Sequence, residues 1–247
     1  MAELVDIRDR DGARVLSLQR AEKRNALSTE LLTELLDAIG DAARDEAVRV
    51  IVFTGSGGAF SAGKDLREEL DLAGRVRRSE LLCGVYEAVG SSSTPTIAAV
   101  EGPCVGGGAE LAAACDLRVA GAGATFRFPG AALGFPVGPA KLIGLVGLGA
   151  AKDLVLTARW VEAEEAQRIG LVQRVVGTGE ALSAALEIAA DILANDPEAL
   201  TCLKRQFNRF SGLGDRIAAE NDALRALAES DGDFGALRAP KPGVSGR

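Results

Sequence analysis

The feature that most constrains this chain is the stretch Ile97–Asp116, IAAVEGPCVGGGAELAAACD, in which an apolar run passes through a glycine triplet into an alanine-rich segment with a single acid. Gly106, Gly107 and Gly108 carry no Cβ, so a bound group can approach their backbone N–H donors, and the chain can turn there through φ values other residues avoid. Ala109–Cys115 are good helix formers, which makes the glycines the start of a helix, where N–H groups lack intrahelical acceptors and the dipole is positive. An oxyanion is favoured at such a place. Glu110 lies three residues past Gly107, one turn on and on the same face, so N–H donor and carboxylate could meet around one bound atom. The same letters also suit a glycine turn into a tightly packed helix, with Glu110 a first-turn acid that favours the dipole. A second site has to decide between the two.

That second site follows Val48–Thr54, a nearly continuous β-branched run of the kind found in strands covered on both faces. It leads into TGSGGAFSAGKDL. Gly58 through Gly63 and Lys64 approach a phosphate-binding P-loop, but Asp65 stands where a magnesium-binding Ser or Thr is needed. A dinucleotide fingerprint fails as well, because Gly55 and Gly57 are followed by Phe60 in place of the third glycine. What remains is a strand-end loop with N–H groups available around Ala62–Asp65, the usual place for a ligand in an α/β fold.

The rest of the chain supplies a frame for these loops. Glu3–Arg8 and Arg14–Gln19 alternate apolar and polar residues about Asp11–Gly12 and predict a hairpin; Ser28 is placed to cap a helix with Leu31, Leu32, Leu35, Leu36 and Ile39 on one stripe. Leu66–Val89 reads as helix, Thr96–Val100 as a strand, Leu117–Ala120 and Ala124–Phe128 as short strands, and Gly138–Thr157 as two apolar helices. Val161–Arg168 suggests a short acidic helix and Leu171–Val176 a last strand. The remainder is helical, with Asp196–Pro197 a cap and first-turn pair and helices near Glu198–Phe210 and Asp215–Glu229; Arg238–Arg247, with Pro and Gly, reads as a loose tail.

With 247 residues and 47% hydrophobic composition, one large domain with a sizeable core is expected. A net charge of −7 and no Lys/Arg-rich block argue against a nucleic-acid partner; Arg75, Arg77 and Arg78 make a short cluster best read as a solvated helix face. The N-terminus has no signal-peptide core and no apolar run is long enough to span a membrane, so a cytoplasmic protein is expected. Cys83, Cys104, Cys115 and Cys202 lack CxxC spacing and histidine is absent, which leaves zinc sites, disulfide frameworks and Ser–His or Cys–His catalysis without support.

RNAL at Arg24–Leu27, FSAGKDL at Phe60–Leu66, IAAVEGPCVGGGAELAAACDLRVA at Ile97–Ala120, FRFPGAALGFPVG at Phe126–Gly138 and AEEAQRIGLVQRVV at Ala163–Val176 together resemble the crotonase (enoyl-CoA hydratase/isomerase) superfamily over almost the whole chain. The resemblance implies an α/β fold: a crotonase-like spiral of ββα turns over residues 1–190 and a helical C-terminal trimerisation region over 191–247. It also implies a homotrimer or dimer of trimers, and an acyl-CoA thioester substrate with no further cofactor. By position, the N–H groups of Lys64 and Gly107 would form an oxyanion hole, Glu110 would be the acid/base, Ala62, Lys64, Asp65 and Leu66 would meet the CoA moiety, and Gly130 and Leu133 would line the acyl pocket. Two fixed donors aimed at a developing enolate are each worth about a hundredfold or more in rate.

One departure matters. Hydratases of this superfamily carry a second glutamate directly after the FxxP-type sequence, and here that position is Gly130. No ionisable residue occurs from Pro129 to Ala140, so an apolar wall is expected. Hydration or double-bond migration driven by Glu110 alone is the preferred expectation, with Gly130→Glu expected to raise hydration if the pocket accepts the side chain. A carrier or sensor of acyl-CoA with little catalysis is the alternative from another class. Decarboxylase-like enolate chemistry is a third, with Tyr86 and Glu87 as the polar residues to test.

Overall fold

The computed structural model describes residues 3–230. The chain opens with the expected hairpin, β1 (Val5–Arg10) antiparallel to β2 (Ala13–Leu18), turning through Asp11 and Gly12, both in the left-handed region at φ 51° and 90°. Ser28 caps α1 (Thr29–Arg44), its hydroxyl accepting from the Leu31 N–H at 3.3 Å, and Leu31, Leu32, Leu35 and Ile39 are buried against the sheet.

From there every added strand of the main sheet is parallel. β3 (Val50–Gly55) joins β2, β4 (Thr96–Val100) joins β3, β6 (Leu117–Gly121) joins β4 and β9 (Arg174–Val176) joins β6, giving the order β1-β2-β3-β4-β6-β9. Both faces of β3, β4 and β6 at the centre are covered, which is why β3 and β4 read as near-continuous apolar runs. Val15, Val50, Val52, Ile97 and Val119 pack under α7 (Ala181–Leu193), while Leu16, Phe53, Ala98 and Val100 face the larger core beneath α1. A smaller sheet, β5 (Pro103–Val105), β7 (Thr125–Arg127) and β8 (Trp160–Glu162), lies alongside, so the chain repeatedly passes from a long strand to a short one and then into a helix. In this way β4 and β5 deliver α3 (Gly107–Ala114), and β6 and β7 deliver the single turn α4 (Gly130–Leu133).

Three boundaries differ from the sequence reading. The helix expected from Leu66 begins at Leu72 as α2 (Leu72–Ser91): Asp71 caps it, accepting from Gly74 N at 2.8 Å, and the residues before it are held by tertiary bonds, with Glu68 accepting from Thr29 N and pairing with Arg78. Trp160–Glu162 is strand and not helix, because Val161 pairs with Phe126 of β7, and only α6 (Ala163–Arg168) is helical. The strand expected over Leu171–Val176 is confined to Arg174–Val176 of β9, whereas the two helices expected in Gly138–Thr157 are present as the two halves of α5 (Pro139–Thr157), which breaks at Gly147 where φ is 76° and ψ is 164°.

The C-terminal helices α8 (Pro197–Ser211) and α9 (Leu213–Glu229) fold onto the same chain. Ile217 of α9 sits where a Cβ on Gly90 of α2 would come within 2.4 Å of it, and the Asn221 amide donates to the Cys83 carbonyl at 3.1 Å and to the Glu87 carboxylate at 2.9 Å. α9 is therefore registered on α2 by shape and by hydrogen bonds. Among the described residues no helix is long and apolar enough to cross a membrane; the expected loose tail, Arg238–Arg247, lies outside them.

Candidate active site

The two glycine loops touch. Asn25, fully buried and at φ 53°, clamps the loop after β3: its amide donates to the carbonyls of Ser56 (2.9 Å) and Ala59 (2.8 Å), and its side-chain oxygen accepts from Arg20 N at 2.9 Å. That is the structural task of the RNAL segment. Ser61 then joins the loop to β5, taking Val105 N on its carbonyl at 2.9 Å and donating its hydroxyl to the Asn25 carbonyl at 2.7 Å. Contact is so close that side chains are excluded. A Cβ at Gly108 would lie 2.5 Å from Ser61 Cβ, and one at Gly63, where φ is 82°, would lie 2.6 Å from the Val105 carbonyl and 3.1 Å from Gly107 N. The glycines thus bring the Lys64 and Gly107 segments together, and among the described residues neither backbone N–H has an acceptor within the chain.

These segments edge a cavity of about 790 Å³. Ala62, Lys64, Leu66, Gly107, Gly130 and Leu133 all line it, as do Leu224 and Leu227 of α9. Asp65 does not line it. Burial works against its charge, yet the Arg67 N–H and the Arg20 guanidinium, 3.0 Å away, hold its carboxyl below the usual range and direct it toward the protein. The Lys64 ammonium lies 4.4 Å from the centre of the Phe135 ring; burial, with Arg78 and Arg75 nearby, brings its pKa down to about 8.

Glu110 stands on the first turn of α3, its N–H donating to the Gly106 carbonyl at 2.9 Å, and the far end of this short helix is fixed by buried Arg118, which donates to the carbonyls of Ala112 and Cys115. The Glu110 side chain is only 2% exposed and lies behind the cavity wall, not on it. One carboxylate oxygen faces Gly138, where an added Cβ would be 3.4 Å away, next to cavity-lining Val137. The other is 3.0 Å from the ammonium of Lys141, within ion-pair distance but not aligned for a hydrogen bond. Burial raises the Glu110 pKa and Lys141 opposes it, while Glu220 adds to the rise, leaving it at about 7.

Lys141 and Glu220 were not among the expected site residues. Lys141 follows directly on the stretch from Pro129 to Ala140 that carries no charge, and Glu220 shares a helical stripe with buried Ile217 and Leu224, so a charge on an apolar face was the available signal in both cases. Tyr86 also reaches the site: it lines the cavity, donates its hydroxyl to the Gly107 carbonyl at 3.3 Å and places its ring 4.5 Å from the Lys141 ammonium.

Residues 9–230 match the family described as enoyl-CoA hydratase/isomerase. The chain belongs to that family. It is 37% identical over 201 residues to the short-chain-enoyl-CoA hydratase of Clostridium acetobutylicum, a match covering 79% of this chain and 77% of that protein. Among solved structures, an enoyl-CoA hydratase/isomerase from Xanthobacter autotrophicus Py2 superposes with a TM-score of 0.82 at 33% identity, covering 92% of this chain and 87% of that one. A monofunctional enoyl CoA isomerase from M. smegmatis superposes at 0.72 with 33% identity, covering 86% and 94%. The fold is therefore the crotonase fold of this family, and enoyl-CoA chemistry is the family's common ground.

Proposed function

We propose that the protein shifts the double bond of an enoyl-CoA thioester, with Glu110 as the only carboxylate acid/base, and that hydration is weak. The observation that carries this is the cavity wall formed by residues 130–137. Gly130, Ala132, Leu133, Phe135 and Val137 line the cavity there without one ionisable side chain, so nothing on that wall orients and deprotonates a water. Isomerisation asks less: Glu110 removes a proton from C2 of a 3-enoyl thioester, the N–H groups of Lys64 and Gly107 hold the dienolate oxygen, and Glu110 returns the proton at C4. On this reading the carboxylate reaches the ligand past Val137 and Gly138.

A specific observation favours a second reading. The Glu110 carboxylate is enclosed and paired with Lys141, which also suits a protein that binds acyl-CoA without turning it over. A panel of 2-enoyl- and 3-enoyl-CoA thioesters followed by mass and chromatography separates the two. A new peak at unchanged mass supports isomerisation, a gain of water marks hydration, loss of carbon dioxide marks decarboxylation, and binding without turnover establishes the carrier reading.

The assembly is proposed to be a homotrimer or dimer of trimers. α8 supports it by leaving Leu203, Phe207 and Phe210 exposed at 49%, 69% and 78%, spaced to form one stripe that a second copy would cover.

A further inference from the structure

Three helices each send one charged side chain into the same dry place behind the cavity. The Lys141 ammonium of α5, wholly buried, lies 3.0 Å from Glu110 of α3 and 2.5 Å from Glu220 of α9. Glu220 is held on every side: one oxygen accepts from Lys141, and the other accepts the N–H groups of Gly138 (3.0 Å) and Ala140 (2.9 Å) at the start of α5. Glu110 has the ammonium alone, and out of line. Two carboxylates around one ammonium leave one net negative charge buried, and the proton that would neutralise it goes to the carboxylate with fewer donors, Glu110.

We infer that Lys141 is a positioning residue for Glu110, anchored by Glu220 from the C-terminal helix, so that the charge balance among these three side chains decides when Glu110 is a base. The inference rests on Glu110 being the acid/base of the proposed reaction. The other titratable groups acting on it are Tyr86 of α2 and Cys104 of β5, with Cys83 of α2 beside Lys141, and burial pushes all three up, Cys83 to about 11, so that they stay neutral at working pH. Lys141 and Glu220 are left as the charges acting on Glu110. They act in opposite senses: the ammonium favours the carboxylate form, and the Glu220 charge disfavours it.

Opposite senses give a test that packing damage does not mimic. Wild type, Lys141→Met, Lys141→Arg and Glu220→Gln are labelled with ¹³C at the glutamate carboxyls and titrated by NMR, with the Glu110 signal assigned by its loss in Glu110→Gln. Circular dichroism checks the fold, and kcat/KM for a 3-enoyl-CoA is followed against pH. Lys141→Met should move the Glu110 titration and the acid limb of the rate profile up by about 1 to 3 pH units, Glu220→Gln should move both down, and Lys141→Arg should stay near wild type. Shifts of the same sign, or none, overturn the inference. If Lys141→Met does not fold, Glu220→Gln decides, and an unmoved or upward Glu110 titration there is enough to reject it. If Glu110→Gln keeps full turnover, the acid/base reading fails instead, whereas an inactive Glu110→Gln with unmoved titrations removes only the role of Lys141 and Glu220.

Discussion

On the proposed reading Gly130 stands where a second carboxylate would serve hydration, and installing one by Gly130→Glu is expected to fail on steric grounds. A Cβ built on Gly130 lies 2.7 Å from the Phe135 carbonyl oxygen, 3.0 Å from Val137 Cγ2 and 3.1 Å from the Val137 carbonyl. Two of these neighbours are backbone, and the segment is tied down because Phe135 N donates to the Gly130 carbonyl at 2.8 Å. Even Gly130→Ala therefore forces the Gly130–Val137 loop to move. Overpacking of this kind costs about 2 kcal/mol, which for a domain of this size lowers Tm by about 4 to 8 °C. Gly130→Glu should lose at least as much and gain no hydration, because the loop that moves is the cavity wall itself. Differential scanning calorimetry of Gly130→Ala and Gly130→Glu, with hydration of a 2-enoyl-CoA measured on both, checks each part. A Gly130→Ala protein melting within a degree of wild type would falsify the steric argument, and a Gly130→Glu protein that hydrates well would show that the wall re-forms around a carboxylate.

Glu110→Gln should lower isomerisation by about 10² to 10⁴. In the wild type kcat/KM should fall as pH drops through about 7, since the base is competent only when ionised and its pKa lies there; a flat profile from pH 5 to 8 argues against Glu110 as base. Lys64→Met should weaken binding of CoA several-fold in calorimetry, and wild-type affinity should decline as pH rises through about 8, where the Lys64 cation is lost. Unchanged affinity in both experiments would remove the side chain from CoA binding while leaving the backbone role of Lys64 intact. Phe207→Asp with Phe210→Asp on α8 should convert an oligomer to monomer in sedimentation; a wild-type monomer at micromolar concentration refutes the assembly.

Much of the fold was legible because its signals are local. Asp11–Gly12 can turn only a few ways, Ser28 and Asp196 cap the helices that follow them, and Val48–Thr54 is too uniformly β-branched to be anything but a covered strand. The errors fell where tertiary bonds outvote propensity. Leu66–Leu70 has helical letters but its Glu68 answers to Thr29 and Arg78, and Trp160–Glu162 is extended because β7 offers it an edge. The short β5 went unread because three residues, Pro103–Val105, carry no period.

The site was legible as far as backbone need could announce it. Glycine triplets and a Gly63–Lys64 turn advertise close approach of main chain to something, since Gly63 and Gly108 tolerate no Cβ beside Val105 and Ser61, and one acid three residues after Gly107 must share its face. What surrounds that acid was not legible. Lys141 is 31 residues and Glu220 110 residues beyond Glu110, and no spacing rule links them; only the docking of α9 on α2, set by Ile217 against Gly90 and by Asn221, brings Glu220 to the start of α5. A charge on a buried stripe is expensive to keep without a partner, so Glu220 between Ile217 and Leu224, and Lys141 between Ala140 and Leu142, each imply an opposite charge across the core. Which charge that is appears only in the folded chain, where the Lys141 ammonium lies between Glu220 and Glu110. α9 is therefore tied to Glu110 of α3 through the charge on Lys141, and removing α9 should change the proton affinity of Glu110 as well as the stability of the fold.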